Sequence, residues 1–181
     1  MKVTGTSGDL KSGFAVVMAN LNVELEKIKN RTTKGLILSA IEVRRDMEGT
    51  PPLIPLDYGN LRASWFILAN TKAPATVKQY EVKGGNFTNA ETPKKLAEIK
   101  SVHAETLTEM RSTLGTIPCG VGMGFGAYYA AAVHEMGASG ATAGKQINWS
   151  RPGSGAKFFQ AALYRNVPKI LAIVQANVKI P

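Results

Sequence analysis

The chain has 181 residues, 22 Lys and Arg against 13 Asp and Glu, a formal charge of +9 and a single Cys. That length suits one domain, and 44% apolar with 19% charged residues supplies a core and argues against wholesale disorder. One Cys excludes an intramolecular disulfide and a Cys-based zinc cage, two distant His (His103 and His134) make a poor metal site, and no run of about 18 apolar residues is present to span a membrane.

Residues 1–8 are polar and Gly-rich and read as a loose arm without the apolar stretch of a signal peptide, so a cytoplasm-like compartment is expected. A long helix is predicted from Asp9, its N-cap, to Met47. Met18, Leu21, Leu25, Ile28, Thr32, Leu36, Ala40, Val43 and Met47 recur at spacings of three and four, as one apolar stripe does. Gly35 and Thr32-Thr33 weaken its middle, where a kink is expected. The stripe reads as core packing, or, because the helix is so much longer than average, part of it packs on another subunit instead.

Thr50 to Gly59, with Pro51, Pro52 and Pro55, stops the helix. A short turn at Leu61 leads into a strand, Ser64 to Ala69, and Val77 to Lys83 alternates as a second strand before the turn Gly84-Gly85-Asn86. Thr92 and Pro93 form a cap and first helical position. The helix they open runs to Thr113, with Leu96, Ile99, Val102 or His103, Leu107, Met110 and Leu114 on its apolar face, or is a lateral insertion with mobile ends.

Pro118 to Phe125 is a third strand in which Gly120, Gly122, Gly124 and Gly126 alternate with Val121, Met123 and Phe125. Period two puts the large residues on one face and bare backbone on the other, ready for a close neighbour. An Ala-rich helix from Tyr128 to Met136 ends at Gly137, and Ala138 to Gly153 is a long loop of small residues. Ser154 is the expected cap of a last helix from Ala156, which Pro168 kinks or restarts.

The chemical motifs mostly fail on inspection. Gly122 to Ala127 fits a dinucleotide fingerprint, but the acid about twenty residues on that would hold a ribose is missing. Gly140 to Gln146 misses the phosphate-loop spacing, and His134-Glu135 lacks a second His four residues on. Cys119 has no base partner, and Ser154 has no strand before it to make a nucleophile elbow. No catalytic, cofactor-binding or metal-ligating residue is assigned, and the chain reads as a non-enzyme without cofactors. Asn148 to Lys157 is a basic, Gly-rich run into a helix that could hold an anion, or is a structural cap anchored by Trp149.

Charge is unevenly placed. After residue 112 the chain carries Lys145, Arg151, Lys157, Arg165, Lys169 and Lys179 against one acid, Glu135. A segment so poor in acid favours a polyanion or an acidic protein neighbour.

Three blocks carry a resemblance. The run Pro55-Leu56-Asp57-Tyr58-Gly59-Asn60-Leu61-Arg62-Ala63-Ser64-Trp65 resembles the P-x-D-x-G-x-L-R-x-S signature of neck and tail-completion proteins of long-tailed bacteriophages. Val121 to Gly137, containing Tyr128-Tyr129-Ala130 and Val133-His134-Glu135-Met136-Gly137, is similar to that family's strand followed by Y-A-x-x-V-E-x-G. Arg151 to Leu163, with Lys157-Phe158-Phe159 and Ala162-Leu163, is similar to its closing K-F-[FL]-x-x-A-L helix. The order matches the family's, after a long N-terminal helix, and the departure is a helical insertion over 86–113.

The resemblance implies an α+β fold, with long N-terminal and C-terminal helices on a small antiparallel sheet. It implies a structural virion protein of the head–tail neck, present in the host cytoplasm during assembly. Such a subunit forms a closed ring, a hexamer or dodecamer, between head-completion or connector proteins and the tail tube or terminator. DNA would pass through it, with non-specific contact expected. Structural roles fall on Gly59, Asn60 (as cap), Leu61, Trp65, Gly122, Gly124 and Gly126, the glycines admitting the long helix or a neighbour. Interface roles fall on Arg62, His134, Glu135, Lys145, Trp149, Arg151 and Lys157. A minor capsid or tail-tube-proximal protein is a variant of this reading. A small basic nucleic-acid-binding domain is the alternative, although the third strand lacks the charge and aromatic interleaving it would use.

Overall fold

A computed structural model describes residues 7–56, 59–70, 82–83, 92–138 and 143–179. The fold is α+β. In chain order the elements are α1 (Ser7–Gly49), α2 (Asn60–Ala63), β1 (Trp65–Ala69), β2 (Val82–Lys83), α3 (Pro93–Gly115), β3 (Val121–Phe125), α4 (Ala130–Glu135) and α5 (Phe158–Val178). Among the described residues no helix is long and apolar enough to cross a membrane.

The sheet is antiparallel in the order β2-β1-β3, with Trp65 opposite Phe125 and Ile67 opposite Met123. The central strand β1 is apolar on both faces, and both faces are covered. Trp65 and Ile67 join Ala40, Val43 and Met47 of α1 and Phe158 and Ala162 of α5 in the main core. Phe66 and Leu68 point the other way, onto Leu107 and Leu114 of α3. The sheet is therefore the middle of three layers.

The glycine alternation in β3 explains how the third layer fits. A Cβ on Gly122 would overlap the side chain of Met110, and one on Gly126 would overlap His103. Both belong to α3. The close neighbour is thus the inserted helix rather than α1 or another chain, because Val121, Met123 and Phe125 occupy the opposite face, toward α1 and α5. The insertion is part of the core and not a lateral appendage. Thr92 caps it by accepting from Lys95 N at 3.2 Å, and His103, rather than Val102, is the residue buried on its inner face.

α5 runs antiparallel along the second half of α1. Asp46 pairs with Arg165, Glu42 with Lys169, Gly35 lies against Val174 and Asn177, and Arg31 donates to the carbonyl of Lys179. Gly35 is thus a close-packing residue: a Cβ there would stand 3.1 Å from the Cα of Val174. α5 continues through Pro168 as one helix, so of the expected kink or restart the restart does not occur.

Several local expectations are corrected. Ser7 and Gly8, read as part of a loose arm, are already helical, so Asp9 lies inside the first turn and is not the cap. Residues 1–6, most of the second strand (77–81), the Gly84-Gly85-Asn86 turn and 139–142 of the long loop lie outside the described residues. Ser154 does not cap α5. The helix opens at Phe158 with Lys157 in the cap position at φ 58°, while Ser154 Oγ donates to Ile54 O at 3.4 Å.

Candidate functional site

The three sequence blocks meet on one side of the sheet. In the first, Gly59 adopts φ 83° and stands at the N-cap of α2, so that Ala63 N reaches its carbonyl at 2.9 Å. Asn60 is consequently the first helical residue and not the cap, and both it and Leu61 are buried. Asp57 and Tyr58 of this block lie outside the described residues. Trp65, the last residue of this block, meets Phe125 of the second block at 5.3 Å in a tilted arrangement, and Phe125 meets Phe158 of the third at 5.5 Å.

Two polar clusters hold the blocks in register. The first gathers on Glu48, near the end of α1. Arg44 reaches its Oε1 at 2.6 Å, Arg62 Nε reaches the same oxygen at 2.6 Å, and Arg151 Nη1 reaches Oε2 at 3.2 Å. Arg151 also donates to the carbonyl of Glu48 at 2.9 Å. Three guanidinium groups thus share one carboxylate, a surplus of two positive charges among the described residues of this cluster. Arg44 lies 5.4 Å over the Trp65 ring. Burial pulls Arg44 below the ordinary arginine value; Glu48 opposes that, and the like charges of Arg62 and Arg151 add to it.

The second cluster ties α4 to the start of α5. Lys157 Nζ pairs with Glu135 at 2.5 Å, and its backbone N donates to His134 O at 2.7 Å. His134 Nδ1 faces Glu135 at 2.9 Å, and Gln160 N donates to His134 Nε2 at 3.4 Å. An Nε2 that accepts leaves the proton on Nδ1, directed at Glu135. The imidazole also packs edge-on to Phe158 at 5.1 Å.

Between the blocks lies an open groove of about 430 Å³. Its walls are Leu56, Gly59 and Leu61 from the first block, Tyr128, Tyr129, Val133 and Met136 from the second, and Trp149 just before the third. Ile99 of α3 closes one side and Lys95 stands among the lining residues. The groove is largely apolar with two phenol groups, and suits an apolar side chain or segment. Trp149 is half-buried and lines the groove. In the run into α5, Arg151 is held by Glu48, and Leu53 pairs with the strand-like stretch at Gly153 to Gly155.

The expected interface residues therefore divide. Arg62, His134, Glu135, Arg151 and Lys157 all make contacts within the subunit, with Arg62 still half exposed. Lys145 is exposed, and Trp149 opens onto the groove. Most cations of the acid-poor C-terminal third meet acids across the fold: Arg165 and Lys169 pair with Asp46 and Glu42 of α1, Lys157 pairs with Glu135, and Arg151 shares Glu48 with Arg44 and Arg62. Sequence reasoning missed Glu48 and Arg44, whose i, i+4 spacing was the one available signal. No protein-family model, no curated protein and no solved structure matches the chain.

Proposed function

We propose that this chain is a structural subunit of a bacteriophage head–tail neck, a tail-completion or tail-terminator protein that assembles into a ring between capsid connector and tail. The observation that carries the reading is the convergence of the three motif blocks. Residues 55–65, 121–137 and 151–163 are far apart in sequence, yet they share one aromatic cluster and frame one groove. Their meeting in one place supports reading the three stretches as parts of a single site.

The same geometry suits a subunit that joins others. The groove offers an apolar seat for a segment of the next protein along the neck, and the surplus charge around Glu48 offers Arg62 to an acidic group. The C-terminal cations, tied to acids of α1 and α4, are poor candidates for a dedicated nucleic-acid face. Contact with DNA passing through the ring would be non-specific, made by exposed lysines such as Lys145. Removing the gene from the phage that carries it should leave filled heads and separate tails that do not join. Joined, infectious particles from such a deletion would sink the proposal.

A further inference from the structure

The arginine cluster is short of acceptors. Glu48 Oε1 takes Arg44 and Arg62, Oε2 takes Arg151, and the Glu48 carbonyl takes the other terminal nitrogen of Arg151. Arg44 Nη1 is shielded from solvent and has no hydrogen-bond partner among the described residues. Arg62 donates through Nε, and its terminal Nη1 and Nη2 have no partner among the described residues. Those two nitrogens form a planar fork that matches the oxygens of a carboxylate or a phosphate. The Arg62 side chain is 51% exposed, whereas those of Arg44 and Arg151 are 19% and 26% exposed. One half-exposed fork is therefore backed by two mostly covered cations.

The groove adjoins this cluster. Leu61 and Ser150 line it, and the residues that follow them are Arg62 and Arg151. Adjacent Cα atoms stand about 3.8 Å apart, so groove and cluster meet along two stretches of chain. Among the described lining residues there is no Asp or Glu, and Leu61, Ile99, Val133, Met136 and Trp149 make the walls apolar. An apolar seat beside surplus positive charge is complementary to an apolar side chain with an acid close by in the same segment.

A nucleic-acid backbone has the right charge but meets the wrong surface. It binds through a row of exposed cations. Here one guanidinium is half exposed, and apolar walls stand next to it. We infer that the groove and Arg62 together bind a segment of a partner protein, in which a bulky apolar residue enters the groove and a nearby Asp or Glu carboxylate takes the Arg62 fork. The partner's place in the virion rests on the neck reading and its chemistry on this geometry alone, so gene deletion and peptide binding can fail independently.

The probe is a randomised heptapeptide library selected on immobilised full-length protein. Selected peptides should carry Asp or Glu close to a Leu, Ile, Met, Phe or Trp. A basic protein attracts acidic peptides without any site, so variants decide. Resynthesised peptides should bind Arg62→Ala at least about 10-fold more weakly than wild type. Tyr128 lines the groove and is 47% exposed, and Tyr128→Ala should weaken binding by about 5-fold or more. Lys34→Ala removes the same charge at an exposed site about 21 Å from Glu48 along α1, and should bind as wild type does. Replacing the peptide's acid by its amide should weaken binding to wild type by the Arg62→Ala factor and weaken binding to Arg62→Ala no further. Arg62→Ala should keep its unfolding midpoint within a few degrees, because Glu48 retains Arg44 and Arg151. A library that yields no binder, peptides without the paired acid and apolar residue, wild-type binding by Arg62→Ala or Tyr128→Ala, or equal losses in Arg62→Ala and Lys34→Ala would each overturn the assignment. So would an oligothymidylate that binds through Arg62 and displaces the peptides.

Discussion

Gly126 of β3 lies so close to His103 of α3 that a Cβ on the glycine would overlap the imidazole and stand 3.0 Å from the His103 Cα. Backbone cannot rotate away as a side chain can. Gly126→Ala should therefore force α3 off the sheet and destabilise by roughly 1–3 kcal/mol, the usual range for overpacking. At Gly122 the obstacle is the flexible Met110 side chain, and at Gly124 it is the edge of Phe66 at 3.3 Å. Urea midpoints of the three alanine variants should rank Gly126 as the most damaged. A Gly126→Ala protein as stable as the wild type would mean that α3 does not pack as described.

His103 gives the fold an acid sensitivity. Burial holds its pKa below the ordinary histidine value of 6.5. Above that value the ring is neutral whether the chain is folded or not, and contributes no pH dependence. As pH falls below 6.5 the unfolded chain takes up the proton first, so stability drops, and the drop levels off below the folded pKa. A His103→Gln variant should show a flatter stability profile between pH 6.5 and the acid limb, measured by denaturant unfolding at each pH. An unchanged slope would remove His103 as the cause.

Glu48 should be the most costly surface-proximal acid to lose. It serves Arg44, Arg62 and Arg151, which come from three separate parts of the chain. Glu48→Gln keeps the shape but leaves three cations without their counter-charge, two of them mostly covered. The expected loss is about 1–3 kcal/mol, below that for a fully buried pair. Arg62→Ala should cost under about 1 kcal/mol, because the Arg62 side chain is 51% exposed. Thermal or urea unfolding of both variants checks the order.

Gly59 tests conformation rather than space. The nearest atom a Cβ would meet is Leu56 Cδ1 at 3.8 Å, so there is room for one. Its φ of 83° is the difficulty. Gly59→Ala should cost about 1–2 kcal/mol through left-handed strain, and Gly59→Asn less, since asparagine tolerates that region better. Equal stability for Ala and Asn would argue against a left-handed turn at this position.

Much of the architecture was legible in the sequence because its signals are local. Thr92-Pro93 marks the start of α3, the spacing of three and four marks α1, and the Gly/large alternation marks β3 with two unlike faces. The cap of α5 was misread because Ser154 looks like a cap in isolation, whereas Leu53 and Ile54, a hundred residues upstream, draw the Gly153 to Gly155 stretch into pairing. Trp149 stood out in the sequence, but the groove it lines did not, because its other walls come from residues 56–61 and 128–136.

The amino-acid order by itself determined which segments become helix or strand, which strand face is bare, and that the C-terminal third is short of acid. Only the tertiary structure decided that α3 fills the bare face, that Glu42, Asp46 and Glu48 meet cations more than 100 residues away, and that α1 is exposed from Ser12 to Lys27 and buried on one face beyond. Periodicity and capping act over one or two helical turns and are written in adjacent residues. Which faces meet depends on the path of the whole chain, and no short window of sequence contains it.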